Sequence, residues 1–246
     1  MQGMTKVKAF AFDLFGTIVD ITSISKVLSE LNIVKDDPKP FIETWRSKQL
    51  QYAWLLTLIG KFEPFGDLSI RALKFTSKVY NIELSDDKIE RVRDAQLQLE
   101  PFPDSKKGLQ ELARLKKRSN NNSNDKKVNS NYKLSILSNG ESSKANKLLS
   151  NISLIQYFDH ILSAEEVGKY KPAKEVYTMA SERLNLSVSE IALVSSNLWD
   201  IAGGQEAGMQ TCWINRQGKN TTNEELDLKS DYIISSIEDL KHCFVL

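Results

Sequence analysis

The 246-residue chain carries no marked excess of charge, no long apolar run and almost no cysteine. Thirty-three basic residues stand against 32 acidic ones, a formal net charge of +1, so no broad field draws the protein to nucleic acid or to an anionic membrane. The longest apolar stretch, around residues 54–59, is too short to span a bilayer. The opening residues run straight into a strand pattern without the apolar segment of a signal peptide. Cys212 and Cys243 are the only cysteines; they could form one disulfide, but they exclude a disulfide framework or a cysteine zinc site. Internal repeats are also missing. The expectation is a soluble cytoplasmic protein with no nucleic-acid or membrane partner. With 41% hydrophobic and 26% charged residues, the composition is that of an ordinary globular protein. Its length suits one large domain, or a core with a smaller insertion.

What is present is an alternation of short apolar strands with helices. Strands are predicted over 7–12, 133–137, 160–162, 191–194, 210–214 and 232–234, and helices over 105–117, 141–149, 173–184 and 201–207. Such alternation means a parallel sheet covered on both faces. Between the first two strands the pattern turns wholly helical, over 24–31, 41–59, 68–80 and 87–99, with Pro38 and Pro40 at the entry to the second helix and Gly60 at its exit. The fold class is therefore α/β: a doubly wound, Rossmann-like parallel-sheet core of residues 1–20 and 99–246, with a helical cap subdomain of residues 21–98 inserted above it. The Asn-rich stretch 120–131, flanked by Lys116-Lys117-Arg118 and containing Lys126-Lys127, buries too little apolar surface to order itself and reads as a mobile surface loop.

Three strands end abruptly in polar residues. Phe10-Ala11-Phe12 runs into Asp13, Leu134 to Leu137 into Ser138-Asn139-Gly140, and Ile191 to Val194 into Ser195-Ser196-Asn197-Leu198-Trp199-Asp200. In a parallel sheet these ends share one edge, which is where ligands of open α/β sheets bind. A carboxylate at such an edge, beside a cation such as Lys171, is equipped to act as a nucleophile that forms an ester. Asp13 could equally cap the strand or the next helix; it is the convergence of three strand ends that makes a site. Two residues on, Phe15 occupies the place where many enzymes that attack phosphate esters carry a second aspartate to protonate the departing alkoxide. The leaving group here should need no proton.

Five segments together resemble the L-2-haloacid dehalogenases of the haloacid dehalogenase superfamily: Phe12-Asp13-Leu14-Phe15-Gly16-Thr17; Leu137-Ser138-Asn139-Gly140; Tyr170-Lys171-Pro172 with Tyr177; Ser195 to Asp200; and a cap-helix segment from Trp45 to Leu55. The nucleophile motif is shared across the superfamily, whereas the cap helix and the Ser-Ser-Asn-X-Trp-Asp segment are more particular to the dehalogenases. Two departures stand out. Phe15 is where these enzymes often have tyrosine, and Ser47 replaces a frequent glutamine beside the cap arginine.

The resemblance implies that Asp13 attacks carbon 2 of a 2-haloalkanoate, with Thr17 orienting it. It makes Arg46, helped by Asn139, the receiver of the halide, a role that suits a guanidinium that keeps its charge. Ser138 and the backbone amides of Leu14 and Phe15 would hold the substrate carboxylate. Lys171 would keep Asp13 ionised, positioned in turn by Asp200 and Ser195, with Asn197 and Tyr177 completing the polar shell. Asp200 is also a candidate for activating the hydrolytic water. Leu50, Phe65 and Trp199 would form an apolar wall for the alkyl group, although each could simply be core. No metal or cofactor is implied, and the partners expected are a 2-haloacid and a second copy of the chain bound through the cap. Two rivals remain: a magnesium-dependent phosphatase of the same superfamily, which Phe15 disfavours by removing general acid help worth about a hundred- to ten-thousand-fold, and a non-catalytic binding protein on the same fold.

Overall fold

The computed structural model describes residues 7–121, 132–218 and 229–244. In chain order the elements are β1 (Ala9–Phe12), α1 (Ser25–Glu30), α2 (Lys39–Leu58), α3 (Phe65–Val79), α4 (Asp86–Ala95), α5 (Pro103–Asn121), β2 (Lys133–Ser138), α6 (Ser142–Asn151), β3 (His160–Ser163), α7 (Lys174–Leu184), β4 (Ile191–Ser195), α8 (Leu198–Ala207), β5 (Gln210–Ile214), β6 (Tyr232–Ile234) and α9 (Leu240–Cys243). The strands form one sheet in the order β3-β2-β1-β4-β5-β6, every neighbouring pair parallel. From β1 the chain builds outward through β2 and β3, then returns to build β4 to β6 on the other side. The crevice at this reversal is the binding position of a doubly wound sheet.

The sequence of β1 shows how the sheet is covered. Its Ala-Phe-Ala-Phe repeat alternates faces with period two. Phe10 and Phe12 enter a core with Leu134, Ile136, Ala192 and Val194. There Tyr132 and Phe244 meet Phe10 edge-on, with ring centroids 5.5 and 5.3 Å away. Ala9 and Ala11 face the opposite core, where Tyr177, Val176 and Leu193 pack close. All four residues of β1 are buried.

Helices α1 to α4 lie in sequence between β1 and β2, as the helical block predicts. Their ends shift by a turn or less, because prolines set the starts. Pro38 is the N-cap of α2, and α3 begins directly after Pro64, three residues before the periodicity alone suggests. Helix α8 likewise begins at Leu198 rather than 201. Helix α5 runs on to Asn121, past its expected end at 117; the rest of the expected Asn-rich loop, 122–131, lies outside the described residues. The pair α2 and α3 is pinned by Trp45, whose indole Nε1 donates to the Ser69 carbonyl at 2.8 Å. The helical block meets the sheet's carboxyl edge at several points. Trp54 Nε1 donates to the Lys171 carbonyl (3.1 Å), the Tyr170 N–H to Thr57 Oγ1 (3.0 Å) and the Gly66 N–H to Glu141 Oε2 (3.2 Å). No helix among the described residues is long and apolar enough to cross a membrane.

Candidate active site

At the ends of β1, β2 and β4 the polar residues meet as their strand registers require, since Phe12 lies beside both Ile136 and Val194. Asp13 is buried, and its two carboxylate oxygens are bonded unequally. Oδ2 accepts the Thr17 hydroxyl at 2.9 Å and the Asn197 amide Nδ2 at 2.9 Å. Among the described residues Oδ1 has one polar partner, the Lys171 ammonium at 3.4 Å. Asn197 stands at the N-cap of α8 but forms no side-chain cap there. An asparagine so placed usually bonds its own helix; this one spends its amide on Asp13.

Lys171 is fully buried between two carboxylates, with Nζ 2.8 Å from Asp200 Oδ2 as well as 3.4 Å from Asp13. Its backbone is held too, because its N–H donates to Asn139 Oδ1 at 2.9 Å. The other oxygen of Asp200 accepts the Tyr177 hydroxyl at 2.8 Å. Burial pushes the Asp200 carboxyl above the ordinary carboxylate range, the Lys171 ammonium pulling it back and the Asp13 charge adding to the rise. Burial, and then the Asp200 charge, lift the Tyr177 phenol well above its usual value, so it stays a neutral donor. Both oxygens of Asp200 are thus occupied, and its side chain is fully enclosed. Gly203 permits this packing: a Cβ there would sit 2.4 Å from the Tyr177 hydroxyl.

Arg46 projects from α2. Among the described residues its guanidinium has neither hydrogen bond nor ion pair; its Cζ lies 5.9 Å from the centroid of the Phe65 ring. Burial lowers its pKa, which the Asp13 charge opposes, and a guanidinium keeps its charge at neutral pH even so. A cation with free donors facing a cavity is suited to receive an anion. The N–H groups of Leu14 and Phe15 likewise donate to no acceptor among the described residues. Ser138 Oγ accepts the Gly140 N–H at 3.0 Å, which leaves its own proton to give. Phe15 lies over Gly140, where a Cβ would come within 2.9 Å of its ring.

One expectation needs correction. Ser195 does not hold Lys171; its hydroxyl accepts the Asn197 N–H at 3.1 Å, so it shapes the turn into α8. Asn139 accepts the Lys171 N–H on its carbonyl oxygen, which leaves its amide Nδ2 to donate. Of the expected apolar wall, Phe65 lines the cavity next to Arg46, Leu50 is packed in the core on the buried side of α2, and Trp199 packs edge-on against Trp54 at 5.8 Å.

Sequence reasoning missed a bracket behind the nucleophile turn. Arg216 forms a two-pronged ion pair with Asp104 (2.9 and 3.1 Å) and also donates to the Thr17 carbonyl at 2.8 Å, its guanidinium 4.0 Å over the Phe102 ring. Asp104 is fixed in turn by the Ile237 N–H at 2.9 Å. The Ser196 N–H donates to Thr17 Oγ1 at 3.0 Å, and its hydroxyl to the Gly16 carbonyl. Arg216 follows the end of β5 by two residues, so the rule that identified the other strand ends reaches it. Replacing Arg216 with Met should lower kcat about tenfold or more with little change in KM, because a small misplacement of the reacting group is costly. Arg216→Lys should recover part of the loss. Steady-state kinetics on both variants checks this, and unchanged kcat in Arg216→Met would remove the bracket from the account.

Among the described residues no group of three His, Cys, Asp or Glu side chains is placed to hold a metal ion. The family model for haloacid dehalogenase-like hydrolases matches residues 7–208. An (S)-2-haloacid dehalogenase of Pseudomonas sp. (strain YL) is 34% identical over 98% of this chain and 96% of its own. Another, of Pseudomonas fluorescens, is 31% identical over 98% of both chains. Among solved structures, an L-2-haloacid dehalogenase from Xanthobacter autotrophicus is similar with a TM-score of 0.81 at 25% identity, covering 95% of this chain and 96% of that one.

Proposed function

Because the chain belongs to the haloacid dehalogenase-like hydrolases, we propose that it is an (S)-2-haloacid dehalogenase, converting an (S)-2-haloalkanoate and water to the (R)-2-hydroxyalkanoate, halide and a proton. The unequal bonding of the two Asp13 oxygens carries this reading. Oδ1, free but for the longer Lys171 contact, attacks carbon 2 opposite the carbon–halogen bond. The halide leaves with the bonding pair toward Arg46, and carbon 2 inverts. Halide is a weak base and departs unprotonated, which suits Phe15 in the place of an acid.

Oδ2 becomes the carbonyl oxygen of the resulting ester. Its two donors, Thr17 Oγ1 and Asn197 Nδ2, are already in position. When water adds to the Asp13 carbonyl carbon, they stabilise the oxyanion that develops there. Such preorganised donors are typically worth about a hundred- to a thousand-fold each. Collapse of this intermediate breaks the ester C–O bond: one proton of the added water goes to the departing alkoxide oxygen of the hydroxy acid, the other to solvent, and the Asp13 carboxylate is restored. Ser138 with the N–H groups of Leu14 and Phe15 would hold the substrate carboxylate, and Lys171 would offset its repulsion from Asp13.

In this reading residues 1–20 and 99–246 form the catalytic core and 21–98 the cap that encloses it. Leu55 and Leu58 on α2 and Ile59 at its C-cap, exposed at 52, 84 and 55%, give a second copy an apolar face to pack on; sedimentation as a monomer at micromolar concentration would remove that part. Both cysteines are free thiols, as suits a cytoplasmic location. The test is incubation with L- and D-2-chloropropionate in chelator. Chloride from the L-acid alone, with D-lactate as product, supports the reading. No chloride from either acid, with phosphate released from a generic ester once magnesium is added, would overturn it in favour of a phosphatase.

A further inference from the structure

Lys171, which places its ammonium beside Asp13, lies in residues 168–173, and these belong to no helix or strand. Its position is therefore set by contacts from outside its own loop. On the core side its N–H donates to Asn139 Oδ1 at 2.9 Å and its Nζ to Asp200 Oδ2 at 2.8 Å. On the other side stands the helical block. Trp54 Nε1 of α2 donates to the Lys171 carbonyl at 3.1 Å, and Thr57 Oγ1, a turn further along, accepts the Tyr170 N–H at 3.0 Å. The buried Tyr170 ring stacks on Phe62 with centroids 5.1 Å apart, and its hydroxyl donates to the Glu63 carbonyl.

Trp54 meets this machinery twice. Its ring also packs edge-on against Trp199, and Trp199 precedes Asp200, the counter-ion of Lys171. Arg46 stands about two turns earlier on the same helix, ~12 Å along its axis. One helix thus carries the halide-receiving cation and holds the cation beside the nucleophile. The depth of Lys171 matters in both directions. At 3.4 Å from Asp13 Oδ1 the ammonium balances charge without a full hydrogen bond on the attacking oxygen. A closer ammonium would tie up the attacking lone pair. A more distant one would leave the substrate carboxylate facing an uncompensated Asp13. Because Lys171 is fully buried, loss of the indole N–H takes a donor from an enclosed carbonyl, which is costly. The loop would shift toward another donor, and Nζ with it.

We propose that Trp54 is a positioning residue for the dehalogenation. Its indole N–H sets the depth of Lys171 Nζ between Asp200 and Asp13, and so ties the geometry of the nucleophile to the helix that carries Arg46. This rests on the dehalogenase reading and deepens it. Trp54 acts through Lys171 and not on the substrate. The effect falls on the rate, because a small misplacement of a group beside the reacting atoms is costly.

Bromide release from (S)-2-bromopropionate should be measured in single turnovers with excess enzyme, for the unmodified protein and for Trp54→Phe. A third protein carries 3-benzothienylalanine at position 54, which keeps the shape of the indole and puts sulfur in place of the N–H. Trp54→Phe is also combined with Lys171→Met. The expected result is a rate about tenfold lower or more in both position-54 proteins, each still melting cooperatively. In the Lys171→Met background the same change should cost less than about twofold, since residues that act through one another are not additive. An unchanged rate with benzothienylalanine overturns the inference. So does a Trp54→Phe loss of equal size with and without Lys171, which would make Trp54 a packing element of the cap. A benzothienylalanine protein that fails to fold overturns it in the same way. Should the double variant not fold, the benzothienylalanine protein alone decides. In each of these cases bromide release by the unmodified protein upholds the dehalogenase reading. No release from that protein overturns the reading and this inference together.

Discussion

Replacing Asp13 with Asn should cut halide release from an (S)-2-haloacid by about ten-thousand-fold or more, the scale of losing a nucleophile, while the protein stays folded. The substitution is nearly isosteric. The new amide can turn its carbonyl oxygen to the donors now on Oδ2, Thr17 Oγ1 and Asn197 Nδ2. That leaves its NH₂ where Oδ1 was, a poor nucleophile facing the Lys171 ammonium. Lys171 keeps its shorter bond to Asp200 at 2.8 Å, so the network loses one carboxylate and not its cation. The measurement is chloride or bromide release by freshly purified variant, whose intact mass excludes deamidation back to aspartate. Full activity in such a preparation would sink the assignment of Asp13.

The second large effect is expected at Lys171, and it should appear in stability as well as in rate. Lys171→Met removes a cation that contacts both Asp13 and Asp200 and leaves two buried carboxylates without it. Removing one partner of a buried ion pair typically costs about 3–5 kcal/mol, which in a chain of this size corresponds to a fall in Tm of about 10 °C. The sign of the pH dependence follows from Asp200. Burial already raises its pKa, and loss of the ammonium raises it further. A carboxyl whose folded pKa exceeds its unfolded value contributes stability below the unfolded pKa and loses it as pH rises through the folded one. The Tm deficit of the variant should therefore be smaller in acid and widen as pH rises above the ordinary carboxylate range. kcat/KM should drop about a thousand-fold, because Asp13 loses its counter-charge. A variant with unchanged Tm at neutral pH would contradict the burial of this network.

Much of this architecture is legible in the sequence for a simple reason. Strands buried on both faces must be apolar until they end, so Asp13, Ser138 and Ser195 mark the edge of the sheet without any tertiary knowledge. The Ala-Phe alternation of β1 even shows which face has less room. Helix ends were less legible, because Pro64 and the N-cap Asn197 set the starts of α3 and α8 while apolar periodicity begins a turn later. Arg46 could be singled out only by family resemblance; on α2 it is one charged residue among several, and what distinguishes it is the absence of a polar partner among the described residues.

Side-chain partnership was the hardest thing to foresee. Ser195 lies in the right segment but bonds Asn197, because the sharp turn into α8 needs that N–H satisfied. Leu50 and Trp199 are apolar residues near the site, and nothing in one-dimensional spacing separates a core wall from a cavity wall. Arg216 and Asp104 are 112 residues apart, and the ion pair that aims Arg216 at the Thr17 carbonyl exists only once the sheet has formed.

The central claim is that the reaction passes through an ester on Asp13, and one measurement reaches it directly. In a single turnover with excess enzyme in H₂¹⁸O, water adds to the Asp13 carbonyl carbon. The account predicts ¹⁸O in the Asp13 carboxylate, found by peptide mass spectrometry on the fragment that carries it, and none in the 2-hydroxy acid. Label in the hydroxy acid with none in Asp13 would mean that water displaces halide directly, and would contradict the account.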